Sequence, residues 1–146
     1  MASTDTAHRL RVLIVDDDRA ALASLEGLLS ADYDVVACLS PRAALDLARS
    51  ESRKGNGFDV VCSDFQMQEM NGGELLRHIA ELPDSPSCVL ITGHVEVLTG
   101  EHRRAEHIFG IMVKPYEPML MIRLVGRLGR VHRMNRSIRE LTAARR

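Results

Sequence analysis

The stretch Val12-Leu13-Ile14-Val15-Asp16-Asp17-Asp18 decides the fold: a short apolar run that stops at three consecutive acids. A run this brief and continuous reads as a strand buried on both faces, the form that parallel strands take. A helical period follows at once, with Ala21, Leu22, Leu25, Leu28 and Leu29 on one face. The pair then repeats. Val35–Leu39, Val60–Cys62, Val89–Ile91 and Ile108–Val113 are the next strand-like runs. Ser40-Pro41 opens a second helix with a cap and a proline at the first helical position. Lys54-Gly55-Asn56-Gly57 is a loop by its turn chemistry. A third helix follows Gly72-Gly73 and carries Leu75, Leu76, Ile79 and Leu82 up to Pro83. The weakest helical segment, Val95–His107, contains Gly100 and a polar centre, and a fifth begins at Glu117. Five strands alternating with five helical segments predict an α/β domain, a doubly wound parallel sheet with helices on both faces. No GxGxxG follows the first strand and no GxxxxGK[ST] occurs, which argues against the dinucleotide and P-loop versions of this architecture.

Composition sets the outer bounds. The chain has 146 residues, 45% apolar and 27% charged, enough for one domain with a short extension. Aromatic residues are 3% and Trp is absent, so the core is expected to be aliphatic. No run of about 18 apolar residues exists, so no membrane span is expected. Residues 1–9 read as a frayed tail without the pattern of a secretory signal, and the expected location is cytoplasmic. Cys38, Cys62 and Cys88 have no CxxC spacing and sit in or beside apolar runs, which predicts reduced, buried thiols. Charge is uneven. Up to Tyr116 eighteen acids stand against eleven bases, net −7; beyond it eight arginines stand against Glu117 and Glu140, net +6. A basic tail of this kind is usually a solvated helix face, and otherwise meets an acidic partner, an anionic surface or nucleic acid.

In an open α/β sheet, ligands bind outside the carboxyl ends of the strands. The first strand ends in Asp16, Asp17 and Asp18, the third in Asp64, the fourth in Thr92 and the fifth in Lys114-Pro115. If the first and third strands are neighbours, about 4.8 Å apart, Asp16, Asp17 and Asp64 crowd and repel unless a cation intervenes. An oxygen-rich acidic cluster with room for water suits Mg²⁺. Lys114 is one of only two lysines, against 17 arginines. Its compact ammonium suits an oxyanion in a small pocket.

These residues make the chain resemble the receiver domain of two-component response regulators, of the chemotaxis type, over roughly Arg11 to Leu128. Val12–Asp18 resembles that family's first strand and acidic pair. Asp64-Phe-Gln-Met67-Gln-Glu-Met70-Asn-Gly72 resembles its phosphoacceptor segment, D-x-x-M-P-x-M-x-G. Leu90-Ile91-Thr92-Gly93 resembles the switch hydroxyl, and Val113-Lys114-Pro115-Tyr116 the lysine-proline signature, whose peptide bond is typically cis. The resemblance implies a flavodoxin-like fold with strand order 2-1-3-4-5. It implies that Asp64 accepts phosphate from a histidine kinase or phosphotransfer protein in a phosphorelay. Asp16, Asp17, Asp64 and the backbone carbonyl of Gln66 would hold Mg²⁺, Lys114 would balance phosphoryl charge, and Thr92 would bind the phosphate once transferred. It also implies a signalling domain that assists its own phosphorylation and dephosphorylation, rather than an enzyme. Gly72 would supply a tight backbone after the acceptor loop, and Asp18 is placed as the cap of the first helix, a third acid near the metal being the other reading.

Two departures stand out. Gln68 occupies the position where the family usually has Pro, and Ile111 the position of its usual Tyr or Phe. With Ile at that site, switching is expected to rest on Thr92 and the Val95–His107 segment. Gln66 and His94 fall where the family tunes phosphate lifetime. The domain is expected over 10–129, with a basic helical extension over 130–146. Val131, Met134, Ile138 and Leu141 take a-d-a-d spacing there, while Gly126 and Gly129 invite a bend or break. Weak pairing with a second copy, an acidic partner or a fold-back onto the body are the expected uses of that helix. Two other classes compete. A haloacid-dehalogenase-like phosphohydrolase needs Thr or Val where Ala20 stands, and an acidic pair after Lys114 that is missing. A nucleic-acid protein would bind by its arginines alone, without a reading head.

Overall fold

A computed structural model describes residues 9–94 and 105–145. Strands β1 (Arg11–Val15), β2 (Asp34–Cys38), β3 (Val60–Asp64), β4 (Ser87–Thr92) and β5 (Ile108–Val113) form one sheet in the order β2-β1-β3-β4-β5. Every pairing is parallel. Among the described residues the helices are α1 (Arg19–Leu29), α2 (Pro41–Arg53), α3 (Gly72–Ala80) and α4 (Pro118–Ala144). That is four rather than the expected five. The helix expected over Val95–His107 lies, apart from its last three residues, outside the described residues, and those three form a turn into β5.

The apolar runs become strands because both faces of the sheet are covered. Alternate residues feed two cores. Leu13, Val15, Val61 and Leu90 pack with Ala44, Leu45 and Leu75 of α2 and α3. Val12, Ile14, Val60 and Val89 pack with Leu22, Leu25, Met121 and Val125 of α1 and α4. Phe58 is the largest fully buried side chain, so the core is otherwise aliphatic. Cys62 and Cys88 are free, and burial pushes both thiols up to about 12. Asp18, Ser40 and Asn71 cap α1, α2 and α3 with their side-chain oxygens, and Pro41 opens α2.

The long helix α4 is unbroken through Gly126 and Gly129, where a bend or break was expected. Both glycines are there for contact. A Cβ at Gly126 would lie 2.5 Å from the Tyr33 hydroxyl, which donates to the carbonyl of Ile122 at 2.6 Å. A Cβ at Gly129 would lie 2.6 Å from Leu10. Packing of the helix onto the sheet therefore outweighs the helix propensity lost at each glycine.

Past Gly129 the inner face of α4 is held by charge. Asp59, 2% exposed at the foot of β3, accepts from the backbone N–H of Arg11 at 2.8 Å, from His132 Nδ1 at 3.1 Å and from Arg133 Nε at 3.2 Å. Asp84, after α3, takes Arg139 at 2.7 Å and Arg136 at 3.4 Å. His132 Nε2 lies 3.5 Å from the same Asp84 carboxylate. Burial works against the Asp59 charge, but the bonds from His132, Arg11 and Arg133 outweigh it and hold its pKa below the ordinary range.

Two outcomes follow. Asp59→Asn should cost about 3 kcal/mol by urea unfolding, because it leaves buried His132 and half-buried Arg133 without their acceptor. Since the folded pKa of Asp59 is depressed, that stability is present above the ordinary carboxylate pKa of about 3.9 and lost as pH falls through the lower folded value. The difference between wild type and Asp59→Asn should therefore be full at neutral pH and close in acid. Separately, Gly27→Ala, on an exposed stretch of α1 with nothing near its Cβ, should stabilise by about 0.5–1 kcal/mol. Gly126→Ala should lose about 1–3 kcal/mol despite the same gain in helix propensity, as thermal denaturation will show.

Candidate functional site

Strand register builds the site. Val15 pairs with Ser63, Asp64 with Ile91 and Thr92 with Val113. The next residues along β1 and β5, Asp16 and Lys114, thus join Asp64 and Thr92 at one end of the sheet. The backbone N–H of Lys114 donates to the carbonyl of Thr92 at 2.8 Å, and that of Phe65 to Ile91 at 2.8 Å, which extends the ladder to the rim. The Lys114–Pro115 peptide is cis. Gly72 is essential to the floor: a Cβ there would collide with the carbonyl of Asp64, and its own N–H donates to Phe65 at 2.7 Å.

Asp16, Asp17, Asp18, Asp64, Gln66, Thr92, His94 and Lys114 line a cleft of about 280 Å³. Lys114 Nζ lies 2.9 Å from Asp64 Oδ1 and 3.4 Å from Asp16 Oδ2. Burial raises the pKa of Asp64, and the charges of Asp16 and Asp17 add to this against the opposing pull of Lys114. Burial works to lower the Lys114 pKa, yet the hydrogen bond and charge of Asp64, with Asp16, raise it overall. Asp16 is buried, and its Oδ1 accepts from the N–H of Asp18 at 3.0 Å. Thr92, 1% exposed, accepts through Oγ1 from the N–H of His94 at 3.0 Å. Ile111 is half-buried against the α2–α3 core, next to Leu90 in the sheet.

The crowding foreseen for the acids is present, but Lys114 lies between Asp16 and Asp64. Among the described residues no three His, Cys, Asp or Glu side chains close on one point tightly enough to hold a metal by themselves. The donor chemistry still fits Mg²⁺, which takes one or two carboxylates and keeps several waters. One ammonium serves a cleft lined by four carboxylates, and burial first, with the charges of Asp16 and Asp17 adding to it, keeps the pKa of Asp64 raised.

Two contacts escaped the sequence. The N–H of Gln68 donates to Asp17 Oδ2 at 3.2 Å and ties the β1 and β3 loops together. The only signal for it was the missing proline, since Pro has no N–H to give. Gln66 Oε1 and His94 Nε2 meet at 2.7 Å across the cleft mouth. Both residues were singled out as separate positions, but their pairing depends on a loop approach that spacing does not encode.

The family model for the response regulator receiver domain matches residues 12–125. Two-component response regulator ORR26 of Oryza sativa subsp. japonica is 42% identical over 91 residues, 62% of this chain and 15% of that protein. Sensor kinase CckA of Brucella abortus (strain 2308) is 29% identical over 115 residues, 78% of this chain and 12% of that protein. The chain thus spans a small part of the length of either relative. A receiver domain protein from Clostridium thermocellum superimposes with a TM-score of 0.74 at 21% identity, covering 86% of this chain and 98% of that one, a likeness of fold. With the family model running from β1 into α4, the chain belongs to the response regulator receiver domains of two-component systems.

Proposed function

We propose that Asp64 is the phosphoacceptor of this receiver and that its donor is the phosphohistidine of a histidine kinase or phosphotransfer protein. The observation that carries this reading is the 2.9 Å contact between Lys114 and Asp64 Oδ1 in a cleft whose charged lining is otherwise acidic. Lys114 engages Oδ1, so Oδ2 is the oxygen left to attack. The new O–P bond forms as the N–P bond of the donor breaks; the imidazole nitrogen keeps that electron pair and later takes a proton from water. Lys114 follows the negative charge from carboxylate to phosphoryl oxygen, a task suited to a flexible point charge. Thr92 gives up its local bond to His94 and donates its hydroxyl to the phosphoryl group. Hydrolysis by water returns the Asp64 carboxylate and inorganic phosphate, with Gln66 and His94 at the rim where that water enters.

Asp16, Asp17, Asp64 and the backbone carbonyl of Gln66 are the groups that would hold Mg²⁺. When bound, Mg²⁺ neutralises charge on the transferring phosphoryl group. Asp18 is left to its helix cap, since its oxygen accepts from Ala20 and Ala21. The domain boundaries we propose remain 10–129 for the receiver and 130–146 for the basic extension. Among the described residues no helix is long and apolar enough to cross a membrane. A cytoplasmic location is proposed to match that of the donor domain.

Treatment with acetyl phosphate and Mg²⁺ should add one phosphoryl group by intact-mass spectrometry, and none in Asp64→Asn or with EDTA. An adduct that persists in either case overturns the assignment. Lys114→Met should keep the fold and lower the phosphorylation rate at least about tenfold, and Lys114→Arg should not restore it, because the guanidinium is larger and forked. The Gln68 contact gives a separate outcome. Gln68→Pro removes the donor to Asp17 and should weaken Mg²⁺ binding by calorimetry roughly fivefold, the worth of one hydrogen bond. Gln68→Ala keeps the N–H and should bind as wild type does.

A further inference from the structure

The second half of α4 has two unlike faces. Arg133, Arg136 and Arg139 point to the body and are neutralised by Asp59 and Asp84. The outward face carries Val131, Met134, Ile138 and Leu141, exposed by 40%, 57%, 54% and 67%. Arg127 stands one turn before this stripe and Arg145 one turn after it, four residues from Val131 and Leu141 respectively. Among the described residues neither Arg127 nor Arg145 meets a carboxylate, and the same holds for exposed Arg123 and Arg130 alongside. The acids that pair with the second half of α4, Asp59, Asp84 and Glu140, thus serve its inner face, and the arginines of the outer face keep their charge.

From this asymmetry we infer that the outer face of α4 is a docking surface for an acidic amphipathic helix of a partner protein. Apolar residues at a-d-a-d spacing accept a helix with the complementary stripe. The anchored inner face removes the cost of ordering α4, which would otherwise offset so short a seam. A second copy of this chain fits poorly. In a parallel pair Arg127 meets Arg127 and Arg145 meets Arg145. In an antiparallel pair centred on the stripe, Arg127 of one copy meets Arg145 of the other. Both orientations set unpaired like charges at the two ends of the seam. Glutamates or aspartates flanking the partner's apolar stripe meet them instead.

The test uses the full chain and a dye-labelled synthetic helical peptide of about three heptads, with Leu at its four central a and d positions and Glu at the a and d positions one turn beyond each end of that stripe. Fluorescence anisotropy should show saturable binding, weakened by added salt. The same peptide with Lys for Glu should bind at least about tenfold more weakly. Met134→Glu/Ile138→Glu, at exposed positions, should abolish binding while the circular dichroism spectrum and thermal midpoint hold. Arg127→Glu/Arg145→Glu should reverse the preference between the two peptides. Equal affinity for both peptides, or none for either, overturns the proposal. So does a dimer in sedimentation that Ile138→Glu dissolves, which assigns the face to a second copy. Capture on phosphatidylserine vesicles in the absence of peptide binding assigns it to a lipid surface and overturns the proposal as well.

Discussion

The arrangement rests on one ammonium. Asp16 and Asp64 end adjacent parallel strands, so the sheet forces two carboxylates together in a half-buried place where each raises the cost of the other's charge. Lys114 arrives from β5 and binds both, at 3.4 and 2.9 Å. A compact ammonium can do this and then yield, because it has three donors on a flexible stem and no fixed fork. The cleft is left short of positive charge, which is the condition under which a cation or a phosphoryl group and its counter-ion become favourable guests.

Polar chemistry at the opposite end of the sheet has the reverse character. Asp59 begins the approach to β3 as Asp64 ends it, yet its acceptor sites are taken by Arg11, His132 and Arg133. Its charge is stabilised where that of Asp64 is strained. One end of the strand holds a helix by a satisfied charge, the other keeps a carboxylate whose charge is disfavoured. Buried ion pairs seldom add net stability, because desolvation offsets attraction. Their worth at Asp59 and Asp84 lies in fixing where α4 runs and which of its faces meets solvent.

Much of this was legible in the sequence. Five apolar runs of strand length and the helical periods between them gave the layers, and polar residues at four strand ends gave the members of the cleft. These features are local, written in a few consecutive residues. What escaped depends on distant pieces meeting. Gly126 and Gly129 look like helix breakers until Tyr33 and Leu10 are placed against them. The three-residue spacing of arginines on α4 was visible, but their acceptors Asp59 and Asp84 sit far away in sequence, in loops whose apposition only the fold supplies. The Gln68–Asp17 bond joins two loops through a backbone N–H, and no side-chain pattern encodes it.

Cys62 lies two residues before Asp64 on the same strand, with its thiol pushed up to about 12 by burial, and Cys88 on the neighbouring strand is in the same condition. The thiolate is the form that attacks electrophiles and is taken by oxidants, and at such values it is essentially unpopulated in a cell. Sulfur, intrinsically the better nucleophile, is thereby kept silent beside a carboxylate that is left accessible. Burial thus withholds from these two thiols the form that oxidants need, a shelter that half-buried Cys38 has in lesser degree.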